Sequence, residues 1–183
     1  MNQKYFIAII PPEPVLCEIE EIKKEISQKY NNKSALRSPS HITLHMPFEM
    51  KEEKEAIMIN KISEFDFSIP FKIQLKDFSC FEPKVIFVDV VPNEILTTLQ
   101  KELVYHVKSN LNIFNQYDDK RAYHPHVTIA FRDLKKSDFY LANEEYKTKK
   151  FSAEFKVNSF FLLKHTGKIW LPFKEFSFSA GRN

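Results

Sequence analysis

The sequence predicts an α+β fold of two pseudo-symmetric lobes, each an antiparallel sheet with outer helices, arranged around a central cleft. Two observations lead to this prediction: a strand–helix–strand order that occurs twice, and a His-x-Thr motif that occurs once in each copy. The approximate half-repeats run from 1 to 80 and from 84 to 178. With 183 residues, the whole chain, 1–183, is expected to form a single bilobal domain.

The first element of each half is a short apolar run that predicts a buried strand. Lys4 to Ile10 is rich in β-branched and aromatic residues and ends at two prolines. Lys84 to Val91 is similar and also ends at a proline. An amphipathic helix is predicted after each run, because apolar residues recur there at helical spacing. These residues are Val15, Ile19, Ile22, Ile26 and Tyr30 in the first half and Leu96, Leu99, Leu103 and Val107 in the second.

The later elements also recur, about 80 to 85 residues apart. A polar loop leads from each helix to a motif strand, HITLHM or HVTIAF. Shorter helices are predicted at Lys51–Ser63 and Ser137–Lys147. Strict alternation of apolar residues predicts strands at Phe67–Leu75 and Phe151–Val157. A closing hairpin is predicted to turn near Gly167.

Composition excludes several classes of protein. A P-loop or a dinucleotide-binding turn needs several glycines, and the chain has only Gly167 and Gly181. The two cysteines, Cys17 and Cys80, supply neither a disulfide framework nor metal-ligand spacing. They are expected to stay reduced in a cytoplasmic protein. Because no apolar run is long enough for a signal peptide or a membrane span, no membrane partner is expected.

Charge is distributed unevenly along the chain. Residues 1–100 hold 12 Lys and Arg against 15 Asp and Glu, whereas residues 101–183 hold 15 against 9. Basic residues flank the second motif, where a positive field could attract an anion. They are Lys120, Arg121, Arg132, Lys135 and Lys136. Taken alone, these charges are explained more simply by a solvated, lysine-rich surface.

The repeated motif predicts the chemistry. Residues two apart on a strand share a face, so His41 lies beside Thr43 and His126 beside Thr128. If the lobes face each other, two imidazoles and two hydroxyls converge. Near neutral pH one imidazole can take a proton from an attacking oxygen while the other gives a proton to the leaving oxygen. The hydroxyls can donate to the non-bridging oxygens of a phosphodiester. Such a site needs no metal and no cofactor.

HITL at His41 and PHVTIAF at Pro125 resemble the paired His-x-Thr/Ser signatures of the 2H phosphoesterase superfamily, which includes 2′-5′ RNA ligase-like proteins and cyclic nucleotide phosphodiesterases. Through the order of strands and helices, the resemblance covers nearly the whole chain. It implies that His41 and His126 are the acid–base pair and that Thr43 and Thr128 anchor the phosphate. It also implies substrates such as 2′,3′-cyclic phosphates, ADP-ribose cyclic phosphate or 2′-5′ linked RNA.

Further candidates for substrate contact are His45, Tyr123, His124, Arg132 and Trp170. His45 and His124 share strand parity with the motif histidines. Tyr123 and Trp170 could stack on a nucleobase, and Arg132 could meet a phosphate through its planar fork. A structural role stays open for each of them, as a polar rim position, a core residue or a surface residue.

The predicted function is that of a metal-independent phosphodiesterase acting on a 2′,3′-cyclic phosphate or a 2′-5′ phosphodiester of RNA or nucleotides. One alternative is an enzyme of the same fold that acts on a non-RNA derivative such as ADP-ribose cyclic phosphate. Another is a non-catalytic module that binds RNA ends. The histidines could instead bind zinc, but no Asp, Glu or Cys recurs at matching positions, so no metal is expected. A monomer is expected, because no coiled-coil or exposed apolar repeat stands out.

Overall fold

The computed structural model describes residues 1–115 and 122–178. Within these residues the chain forms eight strands and four α-helices. In chain order they are β1 (Asn2–Ile9), α1 (Val15–Tyr30), β2 (Ile42–Lys51), α2 (Glu55–Ser63), β3 (Phe71–Phe81), β4 (Val85–Val90), α3 (Glu94–Leu111), β5 (His126–Ala130), α4 (Lys136–Tyr146), β6 (Ser152–Val157), β7 (Ser159–His165) and β8 (Trp170–Ser177). The four helices lie where the sequence predicts them, with bounds that differ by a few residues.

All eight strands belong to one antiparallel sheet in the order β6-β3-β4-β5-β2-β1-β7-β8. The two motif strands, β2 and β5, are therefore neighbours at the centre. Among the described residues they are joined by one pair, Ile42 with Val127. This narrow seam divides the sheet into a His41 half (β2, β1, β7, β8) and a His126 half (β5, β4, β3, β6). The predicted α+β fold with two antiparallel lobes is confirmed.

The two halves of the sheet do not coincide with the two half-repeats of the sequence. Strand β3 belongs to the first repeat, yet it pairs with β4 and β6 in the His126 half. Strands β7 and β8 come from the end of the chain, and β7 pairs with β1 in the His41 half. Each half of the sheet thus combines strands from both ends of the sequence.

One predicted strand has different bounds. The strand predicted at Phe67–Leu75 begins at Phe71 and continues to Phe81. Pro70 has no N–H to donate to a ladder and restricts the residue before it, so pairing starts only after this position. Phe67 nevertheless packs into the core, whereas Ile69 is 57% exposed.

The helices cover one face of the sheet and leave the site on the other. Apolar residues of α1 and α3 pack with Ile7, Ile42 and Val127 in the main core. Phe6, Ala8 and Leu163 form a separate small cluster on the opposite face, and the described helices contribute none of its residues. That opposite face, called here the open face, carries the motif residues.

Candidate active site

The first motif lies on the open face because of its register with β1. Thr43 pairs with Ala8, and directly opposed residues project to the same side of a sheet. His41 immediately precedes β2, and its ring lies against Phe6 with ring centroids 4.7 Å apart. Both motif side chains are half-buried.

The second motif repeats this arrangement. Thr128 pairs with Phe87, and His126 pairs with Asp89. Phe87 lies against His126 with ring centroids 4.8 Å apart, as Phe6 lies against the first histidine. His126 is close enough to His41 for its charge to depress the pKa of that residue. The structure therefore brings both His-x-Thr motifs together across the seam.

Both motif histidines are held by the same backbone contact. His41 Nδ1 lies 2.7 Å from the carbonyl oxygen of Pro39, and His126 Nδ1 lies 2.7 Å from that of His124. Since a carbonyl oxygen can only accept, Nδ1 must carry the proton in each ring. In the neutral imidazole, Nε2 then keeps its lone pair and can act as a base. His41 and His126 therefore each present an Nε2 atom that is free of a proton.

Burial makes both imidazoles weak bases. It lowers the pKa of His41 to about 4, against the raising effect of the bond to the Pro39 carbonyl, and the charge of Lys23 lowers it further. Burial likewise lowers the pKa of His126, where the bond to the backbone of His124 and the charge of Asp89 oppose the shift. Both rings are therefore neutral near pH 7 before any ligand binds.

His124 lies beside the second motif. Its Nε2 donates to Asp89 Oδ1 at 3.1 Å, and its ring contacts Phe87 with ring centroids 5.5 Å apart. Phe81, which is 40% exposed, contacts both His124 and His126. A cavity of about 670 Å³ opens next to this group, between the start of α3 and the segment before β5.

The prediction for His45 is wrong, because a β-bulge interrupts the alternation of β2. Ala8 pairs with Thr43 and Ile7 with His45, so Leu44 is an extra residue on this strand. Both Leu44 and His45 are consequently buried in the core, each 0% exposed. His45 Nδ1 donates to the carbonyl of Met46 at 2.9 Å, and Nε2 has no hydrogen-bond partner among the described residues.

Two of the other candidates, Trp170 and Tyr123, lie near the first motif. Trp170 makes an edge contact with Phe6, at 4.8 Å between ring centroids, which places it one ring away from His41. Tyr123 is partly buried, and its hydroxyl donates to the carbonyl of Thr43 at 2.9 Å. It therefore ties the segment before β5 to β2.

Arg132 lies beyond the end of β5, at a bend where its φ is 60°, and its side chain is exposed. Its guanidinium lies over the ring of Phe131 at 5.1 Å. Lys135 and Lys136, also exposed, follow still further along. Lys120 and Arg121 lie outside the described residues.

Two other features bear on the class of site. Within residues 1–115 and 122–178, no group of three or more His, Cys, Asp or Glu side chains is placed to hold a metal ion. In the same residues, the helices are too short or too polar to cross a membrane.

Comparison with known proteins assigns the family. Residues 11–169 match the model of the 2′-5′ RNA ligase superfamily. A Geobacillus kaustophilus protein named as an inferred phosphoesterase is 29% identical over 163 residues, which cover 87% of each chain. A Bacillus pumilus protein of the same description is 29% identical over 130 residues, which cover 69% of each chain.

Solved structures share the fold. E. coli LigT complexed with 3′-AMP superimposes with a TM-score of 0.67 at 20% identity, covering 98% of this chain and 99% of LigT. TT0787 of Thermus thermophilus superimposes with a TM-score of 0.68 at 20% identity, covering 98% and 100%. With the family match over residues 11–169, the chain belongs to the 2′-5′ RNA ligase superfamily of 2H phosphoesterases.

Proposed function

We propose that this protein is a metal-independent phosphodiesterase that cleaves a 2′,3′-cyclic phosphate or a 2′-5′ phosphodiester of RNA or nucleotides. The observation that carries the proposal is the shared Nδ1 contact of His41 and His126, which leaves one Nε2 on each side of the seam for proton transfer. Membership of the family supports phosphodiester chemistry.

In hydrolysis of a cyclic phosphate, one neutral imidazole takes a proton from water as its oxygen attacks phosphorus. The other imidazole, protonated, gives its proton to the ribose oxygen as the bond between that oxygen and phosphorus breaks. An anionic phosphodiester favours the protonated, charged form of a nearby imidazole, and that protonated imidazole can then act as the acid. Either histidine can take either role, because both hold the proton on Nδ1 and keep Nε2 for proton transfer.

The threonines stabilise the charge that develops on phosphorus-bound oxygens. Thr43 and Thr128 lie on the open face beside the two histidines. Their hydroxyls donate to the non-bridging oxygens, where negative charge increases in the transition state. The hydroxyl groups are part of the folded sheet, so little reorganisation accompanies the reaction.

Aromatic rings on both sides of the site favour a nucleotide substrate. Trp170 lies beyond Phe6 on the side of His41, and Phe81 lies exposed beside His126. Nucleobases stack on such rings with little dependence on sequence. The structures of E. coli LigT with 3′-AMP and with ATP add support for a nucleotide. We place this activity in the cytoplasm, where the free thiols of Cys17 and Cys80 stay reduced.

The test is hydrolysis of 2′,3′-cyclic AMP in EDTA by the wild type, His41→Ala and His126→Ala, with the product isomer identified. Each substitution is expected to lower kcat by about 10²- to 10⁴-fold. His106→Ala is the matched control, because this ring contacts the carbonyl of Lys61 on the helical side. Turnover that survives both motif substitutions would show that the site is wrong.

Two other outcomes identify the alternatives. Hydrolysis of ADP-ribose cyclic phosphate without hydrolysis of 2′,3′-cyclic AMP would indicate an enzyme for a non-RNA nucleotide derivative. Binding of RNA ends without turnover of any of these esters would indicate a binding module. The product isomer shows which ribose oxygen leaves, and therefore which bond the proposed acid protonates.

A further inference from the structure

We propose that Glu20 and Lys23, an ion pair on α1 in which the lysine is buried, are positioning residues that fix the carbonyl of Pro39 and thereby the tautomer of His41. This inference rests on the proposed role of His41 in proton transfer. It adds two residues that lie behind the site and outside both motifs.

Glu20 and Lys23 form hydrogen bonds with the segment that precedes the first motif. Lys23 Nζ lies 2.9 Å from Glu20 Oε1 and donates to the carbonyl of Ser38 at 2.8 Å. Glu20 Oε1 accepts from the backbone N–H of Ser40 at 2.6 Å and from its hydroxyl at 2.8 Å. Lys23 and Ser40 are each 1% exposed. Pro39 is thus bracketed by two anchored neighbours.

The contact with Ser40 acts directly on His41. The N–H of Ser40 and the C=O of Pro39 belong to the same planar peptide group, so fixing one fixes the other. The Glu20 carboxylate holds the N–H side of this peptide, and its C=O side accepts from His41 Nδ1. A path of hydrogen bonds therefore runs from the Glu20 carboxylate through the Pro39–Ser40 peptide to the imidazole of His41.

The second motif cannot use the same device. There the equivalent peptide joins His124 to Pro125, and proline has no N–H for a carboxylate to hold. Instead, Asp89 accepts from the side chain of His124, at a position where both groups are substantially exposed. Both motif histidines therefore donate from Nδ1 to a backbone carbonyl. Only the carbonyl that His41 contacts belongs to a peptide whose N–H is held by a carboxylate.

Stability alone does not account for an ion pair with a buried lysine at this place. Burial lowers the pKa of Lys23, which reflects the cost of removing its charge from water. Well-packed apolar side chains commonly stabilise a core as much as a buried ion pair does. The same helix carries Glu21 and Lys24 at the same spacing, 2.6 Å apart and exposed. Among the described residues, neither Glu21 nor Lys24 forms a hydrogen bond with Ser38 or Ser40, so the exposed pair offers a matched control.

The first variant is Glu20→Leu with Lys23→Met, which removes both charges together and leaves no unpaired ion in the core. It is expected to fold, and its kcat on 2′,3′-cyclic AMP to fall by about 10- to 100-fold, because His41 is no longer held in its productive geometry. KM is expected to stay within about 2-fold, since the phosphate anchors are intact. Glu21→Leu with Lys24→Met is expected to keep kcat within about 2-fold.

The second variant, Glu20→Gln with Lys23→Met, keeps an amide oxygen that can accept from Ser40. It is expected to recover most of kcat. This result would show that the orientation of the Pro39–Ser40 peptide, and not the charge of the pair, is what turnover requires. If it is as slow as the Leu/Met variant, or if the Leu/Met variant equals the wild type, the positioning role is overturned.

A spectroscopic readout makes the test independent of turnover. Long-range ¹H–¹⁵N NMR spectra report which ring nitrogen of His41 carries the proton. The wild type, the Gln/Met variant and the exposed-pair control are expected to show Nδ1–H alone, and the Leu/Met variant to show both tautomers. An unchanged tautomer in the Leu/Met variant contradicts the inference. If the wild type does not hydrolyse 2′,3′-cyclic AMP, the proposed activity on this ester fails, while the tautomer still decides the role of the pair.

Discussion

The ring of Phe87 lies against the imidazole of His126, with ring centroids 4.8 Å apart. Phe6 has the same relation to His41 at 4.7 Å. Both phenylalanines are nearly inaccessible, at 0% and 3% exposure. Burial is the main cause of the lowered pKa of each histidine. The pseudo-symmetry of the motifs therefore extends to the two phenylalanine rings, which help to bury the imidazoles and so keep them neutral.

Phe87→Leu is expected to raise the pKa of His126 towards its ordinary value, because a smaller side chain admits water beneath the ring. The measurement is an NMR titration of the histidine ring protons in both proteins. His45, which is buried in the core against Phe48, supplies the internal control, and its pKa should stay the same. A pKa of His126 that stays the same or falls would contradict the role given to Phe87.

Thr43→Val and Thr128→Val are each expected to lower kcat by about 10²- to 10³-fold, since each removes one donor to the developing oxyanion while nearly preserving shape. Steady-state hydrolysis of 2′,3′-cyclic AMP measures the effect. Thr148→Val is the control, because its hydroxyl donates to the carbonyl of Glu145 at the end of α4. Loss of activity in the control, or none at the motif threonines, would refute the assignment.

His45→Leu is expected to leave kcat within about 2-fold and to keep or raise the free energy of unfolding by up to about 1 kcal/mol. The substitution removes a buried Nε2 that lacks a hydrogen-bond partner among the described residues. Urea unfolding followed by circular dichroism gives the stability, and the ester assay gives kcat. A large loss of kcat in a stable variant would return His45 to the site.

The neutral form of His41 makes stability depend on pH. Its folded pKa of about 4 lies below the ordinary value of 6.5, so the unfolded chain binds more protons between these values. The free energy of unfolding should therefore fall by up to about 3 kcal/mol from this residue as pH drops from about 6.5 to about 4. Urea titrations of the wild type and His41→Gln test this, and the variant should show a shallower slope. Equal slopes would contradict the shift.

Local patterns in the sequence predict much of the fold and the centre of the site. The helices α1 and α3 follow from apolar residues at helical spacing, and the two motifs follow from the repeat. The bulge at Leu44 could not be predicted, because HITLHM alternates as an uninterrupted strand would. The extra residue becomes evident only in the register of β2 against β1.

Long-range contacts explain what else the sequence leaves open. Glu20 and Lys23 have the spacing of an ordinary solvated pair, as Glu21 and Lys24 do. What distinguishes them is that the segment ending at Ser40 folds back over the helix, which no local pattern indicates. The pairing of β3 with β6 in the His126 half is likewise a choice of partner between distant strands.

That pairing has a consequence for how the protein acquires its chemistry. The His126 half needs β3 from the first repeat, and the His41 half needs β7 from the second. In each half one pairing joins strands that are far apart in the sequence, β3 with β6 and β1 with β7, and pairings of such high contact order form slowly. The two halves of the site should therefore form together in one cooperative transition. A nascent chain should have no assembled site until its final hairpin, β7 and β8, has paired with β1.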